Sequence, residues 1–91
     1  MNRDEIMKLI IEILKQIQQL SGREIPDISE DTIPIGGLSG FDSQNGLELT
    51  VMLPEEIKWP GNNLCVSDDG TQALSVREIT ERLISKVNPS E

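Results

Sequence analysis

A chain of 91 residues with 36% hydrophobic side chains and a net charge of −8 reads as one acidic globular domain, residues 1–91, burying roughly 60–70% of its unfolded surface. Sixteen acidic residues against eight basic ones exclude nucleic acid as the expected partner, since phosphate neutralisation needs clustered Lys and Arg. The absence of histidine excludes Ser-His and Cys-His nucleophilic pairs and His-containing zinc sites.

In chain order, the first element is a helix. Ile6, Ile10, Ile13, Ile17 and Leu20 recur at alternating spacings of four and three, which places them on one face. Asn2 is placed to cap it, with Glu5 three residues on to complete a capping box and Met1 opposite Ile6 as a hydrophobic staple. Ser21-Gly22 stops it, because Gly supplies a left-handed conformation just past the end.

Residues 22–42 hold no periodic element, and Pro26, Pro34, Gly36, Gly37 and Gly40 interrupt every run. Ile25, Ile28, Ile33, Ile35, Leu38 and Phe41 are spread through it, so the loop is expected to lie pinned across the core. A loop this long in a small domain is usually functional, and this one ends at Asp42-Ser43.

A second helix runs forward from Ser43, with Leu47, Val51 and Leu49, Leu53 as adjacent apolar stripes. Gly46 weakens it by about 1 kcal/mol relative to Ala. Pro54 ends or kinks it near 53–54 and is placed to open a short separate turn with Glu55-Glu56 at a tolerated first position. Residues 59–74 are turn-rich, with Trp59 a packing residue at the end of the second helix. The final helix starts at a capping box of Ser75 and Glu78 with a Leu74–Ile79 staple, carries Val76, Ile79, Leu83 and Val87 on one face, and ends at Asn88-Pro89. The apolar faces can bury one another only in a bundle. With Phe41 and Trp59 the sole aromatics, its core must be aliphatic.

Cys65, between Leu64 and Val66, reads as a small buried apolar residue. A single cysteine forms no internal disulfide and suits a reducing compartment. No apolar stretch is long enough to span a bilayer, and the opening Met1-Asn2-Arg3-Asp4-Glu5 lacks the pattern of a signal peptide. The expectation is a soluble cytoplasmic protein.

Few residue sets are placed for chemistry. "SDDG" fails as a calcium loop, because with Gly70 in sixth place Cys65 and Val76 would be the first and twelfth ligands. Glu55-Glu56 and Asp68-Asp69 are adjacent carboxylates on polar segments, the usual pattern of solvated charge. "GLSGF" is not a nucleophile elbow. No catalytic constellation results, and the expectation is that the chain is not an enzyme. Asp42-Ser43 remains: by itself such a pair is most often a helix cap.

Its surroundings resemble those of the acyl carrier protein family, the phosphopantetheine-bearing carriers of fatty-acid and polyketide synthesis. The resemblance covers most of the chain: an amphipathic first helix, a long Gly/Pro loop, an Asp-Ser pair opening the second helix and a long last helix. It is closest over "DSQNGLELTVMLPEEI", Asp42 to Ile57, where Asp42, Ser43, Leu47-Glu48-Leu49, Leu53, Glu55-Glu56 and Ile57 match the family signature. It implies an all-α bundle of three to four helices, with 4′-phosphopantetheine moved from coenzyme A to the Ser43 hydroxyl by a phosphopantetheinyl transferase. Acyl cargo would ride on the arm's thiol as a thioester. Ser43 is then an anchor beside the motif residue Asp42, and not a catalyst.

The resemblance further implies a monomer whose docking face carries Gln44, Leu47, Glu48, Val51 and Glu55, meeting acyl-loading and acyl-transfer enzymes with basic surfaces. From Asp42 to Asp69 the chain has Asp42, Glu48, Glu55, Glu56, Asp68 and Asp69 against Lys58 alone, which suits such partners. A phosphodiester at this helix start is expected to meet unpaired backbone N–H groups and the positive end of the dipole. Val51, Leu53 and Ile79 are candidate lining for an acyl chain, or simply core. Gln44 stands where the family usually has Leu, Pro54 where it has an acidic residue, and Gly46 where it has a better helix former; this points to a dedicated partner set. The family also includes aminoacyl and peptidyl carriers, whose Gly-Gly pair lies nearer the serine than Gly36-Gly37 does here. The competing reading is an unmodified acidic helical interaction module in which Ser43 only caps.

Overall fold

The computed structural model describes residues 2–60 and 63–87, Val87 by its backbone alone. Four helices are described: α1 Arg3–Leu20, α2 Pro34–Gly37, α3 Ser43–Val51 and α4 Val76–Val87, with a 3-10 turn at Glu55–Ile57. Among the described residues there is no strand, only a single antiparallel bridge between Val66 and Ala73. The expected all-α bundle is what forms, with α1 packed on both α4 and α3. α2 is one turn only. Ile35 (φ −74°, ψ 115°) and Gly36 (φ 90°) are non-helical, the signature of a type II turn, which requires positive φ at its third position.

Both ends of α1 follow from its sequence. The Glu5 N–H donates to Asn2 Oδ1 and the Asn2 N–H to Glu5 Oε1, each at 2.9 Å, a complete capping box. At the other end Gly22 takes φ 68°, the Arg23 N–H donates to the Gln18 carbonyl at 2.9 Å and the Gly22 N–H to that of Gln19 at 3.1 Å. That pair of bonds is a Schellman motif, satisfying carbonyls the helix leaves open.

Ile6, Ile10, Ile13 and Ile17 are buried as expected, joined by Leu14. Leu20 is not, with 79% of its surface exposed. Its angle around the helix is right, but the last turn of α1 is covered on the Gln18 side, where the long loop returns, and not on the Leu20 side.

α4 starts at the expected capping box: the Glu78 N–H donates to Ser75 Oγ at 3.2 Å and the Ser75 N–H to Glu78 Oε1 at 2.9 Å. Two further first-turn amides are met by the long loop, Val76 N–H donating to the Thr32 carbonyl at 2.8 Å and Arg77 N–H to that of Glu30 at 2.9 Å. The Arg77 guanidinium adds ion pairs to Glu30 and Asp31 at 2.6 and 2.7 Å. Val76, Ile79 and Leu83 are wholly buried, and Leu74 of the staple pair is nearly so. The Met1 staple, the Val87 side chain and the Asn88-Pro89 stop lie outside the described residues.

The long loop is pinned, though not by all the side chains expected. Leu38 and Phe41 enter the core, and Ile28 and Ile35 pack against it. Ile25 and Ile33 stay 44% and 43% exposed; beside Ile33, the bonds that the Thr32 and Glu30 carbonyls accept from the start of α4 hold the loop instead.

α3 ends at Val51 with Met52 as its C-cap, slightly before the expected 53–54, because Pro54 denies Leu53 helical geometry. Pro54 then caps the 3-10 turn, one position earlier than expected. Of the two apolar stripes, Leu49 and Leu53 are buried, whereas Leu47 and Val51 are 49% and 79% exposed, since the residue-59 segment lies alongside them and not over them.

Gly46 is a close-approach position, not a flaw in the helix. A Cβ there would collide with the Asn63 carboxamide, coming within 2.8 Å of its nitrogen. That carboxamide donates to the Ser43 carbonyl at 2.7 Å and accepts from the Cys65 N–H at 3.0 Å. Helix propensity says Gly46→Ala should stabilise by about 1 kcal/mol. Losing two hydrogen bonds worth about 0.5–1.5 kcal/mol each opposes and exceeds that. Urea denaturation is expected to show Gly46→Ala as destabilising in the native chain and stabilising in an Asn63→Ala background.

Candidate modification site at the start of α3

Asp42, and not Ser43, is the N-cap of α3. Its Oδ1 accepts from the Gln44 and Asn45 N–H groups at 3.0 and 3.2 Å. Asn45 completes the box in reverse, its Oδ1 accepting from the Asp42 N–H at 3.2 Å. Ser43 holds the first helical position with its side chain exposed. The idea that the Ser43 hydroxyl serves as the cap is therefore corrected, because the preceding carboxylate takes the bonds a capping hydroxyl would accept.

The same finding trims the anion site expected at this helix end. The Gln44 and Asn45 amides are engaged by Asp42, and the Gly46 N–H donates to the Asp42 carbonyl at 3.1 Å. Of the first-turn donors, the Ser43 amide is the one without a partner among the described residues.

Three residues absent from the sequence reading fix this corner. Gln18, wholly buried, donates from Nε2 to the Ser39 carbonyl at 2.8 Å. Arg23 Nη1 donates to Gln18 Oε1 at 3.3 Å and to Asn45 Oδ1 at 3.0 Å. Asn45 Nδ2 donates to Glu48 Oε1 at 2.7 Å. Gly40 makes room for the arrangement: it takes φ 69°, and a Cβ there would come within 2.8 Å of Arg23 Nε. No buried side-chain polar atom lacks a partner among the described residues.

On its other side Ser43 borders an open cleft of about 350 Å³, lined also by Asn63, Val66, Ser67, Asp68, Asp69 and Gly70. The far wall is a tight turn in which Asp69 Oδ1 accepts from the Ser67 and Thr71 hydroxyls, both at 2.7 Å, and from the Thr71 N–H at 3.1 Å. The Ser67 hydroxyl, followed by the hydroxyl and the backbone N–H of Thr71, lowers the Asp69 carboxyl to about 2. It stays ionised at every ordinary pH.

The remaining expected site residues lie on one exposed side. Gln44, Leu47, Glu48 and Val51 are all exposed on α3, and Glu55 follows on the 3-10 turn, its carboxylate 4.0 Å from Lys58 Nζ. Of the three candidate lining residues, Leu53 and Ile79 are buried in the core, but Val51 points outward. Beside Leu47 and Val51 runs a second groove of about 350 Å³, closed by Thr50, Lys58, Trp59 and Pro60. Arg82 backs it, its guanidinium carbon 4.8 Å from the Trp59 ring centroid. The same guanidinium donates to the Leu64 and Val66 carbonyls at 3.1 and 2.6 Å and to Asp68 Oδ1 at 2.7 Å.

Cys65 is wholly buried, as expected. Burial pushes its thiol up to about 12, against a smaller opposing pull from Arg82. Among the described residues no helix is long and apolar enough to cross a membrane, and no group of metal-ligating side chains is assembled. No family model, curated protein or solved structure matches the chain.

In urea denaturation Asp42→Ala is expected to cost about 1 kcal/mol, the worth of an N-cap, while Ser43→Ala stays within about 0.5 kcal/mol of the parent. Cys65 is expected to resist iodoacetamide at pH 8 in the folded protein and to react on unfolding. Because its folded pKa lies above the ordinary 9.0, its contribution to stability is fully present below pH 9 and is lost as pH rises from there toward about 12.

Proposed function

We propose that the chain is a discrete acyl carrier protein, with Ser43 the residue to which 4′-phosphopantetheine is attached. The observation that carries this reading is the division of labour at residues 42 and 43. Asp42 performs the capping that would otherwise occupy a serine at this position, which leaves the adjacent hydroxyl exposed and unpaired among the described residues, at the lip of a cleft. A hydroxyl presented in this way on a fixed backbone is a modifiable group, not a catalytic one; the chain does no chemistry itself.

The residues fit the prosthetic group in reach and in space. Ser43 Oγ opens to solvent, so a transferase can approach it, and the cleft offers room alongside. Ser43 Oγ would hold the group through its phosphate: the hydroxyl would give up its proton to the transferase and replace the adenosine bisphosphate half of coenzyme A on phosphorus. Asn63 holds the Ser43 carbonyl and Asp42 the first turn, so the hydroxyl keeps its bearing as a partner docks. When bound, the group supplies a thiol on which cargo is held as a thioester. Asp68 and Asp69 in the far wall would disfavour the charged phosphodiester within the cleft.

The partners would be a phosphopantetheinyl transferase and acyl-loading or acyl-transfer enzymes with basic surfaces, meeting Gln44, Leu47, Glu48, Val51 and Glu55. Asp42 and the acidic balance favour acyl over aminoacyl cargo, and a cytoplasmic biosynthetic pathway for fatty acids, polyketides or related products is its natural setting.

The test is intact mass under reducing conditions after incubation with coenzyme A, magnesium and a broad-specificity phosphopantetheinyl transferase. The expected result is a gain of one phosphopantetheine, absent in Ser43→Ala. An unchanged mass beside a fully modified control carrier contradicts the proposal. For a modified chain, Gln44→Leu is expected to change loading by generic acyl-transfer enzymes, and unchanged loading counts against a dedicated partner set.

A further inference from the structure

Asn45-Gly46 is the sole Asn-Gly pair in the chain, and a different contact fixes each half. The Asn45 carboxamide joins Arg23, Asp42 and Glu48. Gly46 leaves room for the Asn63 carboxamide, which a Cβ would strike. In an open chain such a pair reacts with itself. Glycine has no Cβ to shield its peptide nitrogen, and its backbone turns freely enough to bring that nitrogen to the asparagine side chain.

In the folded chain the two reacting groups are kept apart. The Gly46 N–H donates to the Asp42 carbonyl at 3.1 Å. Both residues lie within α3, whose helical ψ of about −42° turns the Gly46 nitrogen away from Asn45 Cγ. The carboxamide is buried, with Oδ1 accepting from Arg23 Nη1 and the Asp42 N–H and Nδ2 donating to Glu48. We propose that Asn45-Gly46 is a self-modifying site that the first turn of α3 holds closed. When that turn opens, the Gly46 nitrogen loses its proton to water and bonds to Asn45 Cγ, and Nδ2 gains a proton and leaves as ammonia. Water then opens the cyclic imide at one carbonyl to give aspartate, or at the other to give isoaspartate. The net change is carboxamide and water to carboxylate and ammonium.

Both products damage the seat of Ser43. Aspartate loses the Nδ2 donor and sets a carboxylate against Glu48, whose Oε1 lies 2.7 Å from that nitrogen. Isoaspartate routes the main chain through the side-chain carbons, so the helix loses its register at Gly46 and the Arg23 and Asp42 bonds lose their acceptor. The site does not rest on the carrier reading, because it concerns the fold beneath Ser43 whatever that hydroxyl bears.

Trypsin cuts after Arg23 and Lys58 and releases residues 24–58, in which Asn45 is the sole asparagine. Mass mapping of that peptide over an incubation at pH 8 therefore reads the site alone. The folded parent is expected to convert at least about tenfold more slowly than the parent in urea. Asp42→Ala, which removes the cap, is expected to convert about fivefold faster than the folded parent. Ser75→Ala, which removes the cap of α4 instead, should leave the folded rate unchanged. In urea Asn45→Gln should not convert. Parent chain converted in urea and then refolded is expected to lose amide protection over residues 43–46.

Equal rates for the folded and urea-treated parent overturn the proposal, as does a parent that stays intact in urea. Conversion of Asn45→Gln at the parent rate would place the reaction at Gln44 and contradict it. Acceleration by Ser75→Ala equal to that by Asp42→Ala would make global unfolding the gate, against the assigned role of the first turn. Full protection of residues 43–46 in the converted, refolded chain would contradict the damage to the seat of Ser43.

Discussion

The arrangement around Ser43 depends on one carboxamide oxygen. Asn45 Oδ1 accepts from the Arg23 guanidinium and from the Asp42 N–H, and so joins the end of α1, the returning loop and the start of α3 at one point. Arg23 reaches it from just beyond the Schellman turn of α1 and bonds on its way to Gln18, which holds the Ser39 carbonyl. A buried polar group left unpaired costs about 1–3 kcal/mol. The network therefore tolerates few alternatives: each member is satisfied only when the others are in place. It specifies where Asp42-Ser43 stands far more tightly than the aliphatic core could, since apolar contacts have no direction.

From that fixed point the two faces of the site separate. On one side, Asn63 uses the space left by Gly46 to hold the Ser43 carbonyl, and the loop behind it forms the cleft. On the other, the outward residues of α3 face the Trp59 segment across an apolar groove. Arg82 lies behind both, binding Leu64, Val66 and Asp68 on the cleft side and Trp59 on the groove side. A single α4 side chain thus braces an irregular loop that has almost no secondary structure of its own.

Much of this fold could be read before any coordinates. Both capping boxes, the Gly22 stop and the buried faces of α1 and α4 follow from local rules whose participants lie within four residues of one another. The position of Ser43 was legible for the same reason. What escaped was non-local. Gln18, Arg23 and Asn45 look like ordinary polar residues, because nothing near them in sequence indicates that they will meet. Gly46 and Asn63 are seventeen positions apart, and only their contact turns an apparent helix defect into a requirement. Leu20 misled for the converse reason: its periodicity was right, but no element arrives to cover it. Between Asp42 and Ser43 the choice of cap is set by register, which composition does not encode.

The central claim is that this polar node, and not general packing, orders the segment carrying Ser43. Amide hydrogen exchange on Arg23→Met tests it most directly, since methionine retains much of the apolar stem and removes the guanidinium. The account predicts lost protection over residues 39–46, where the network anchors loop and helix, with the Val76–Val87 helix and the first half of α1 protected as in the parent. Unchanged protection at residues 39–46, or a uniform loss across the chain, would contradict it.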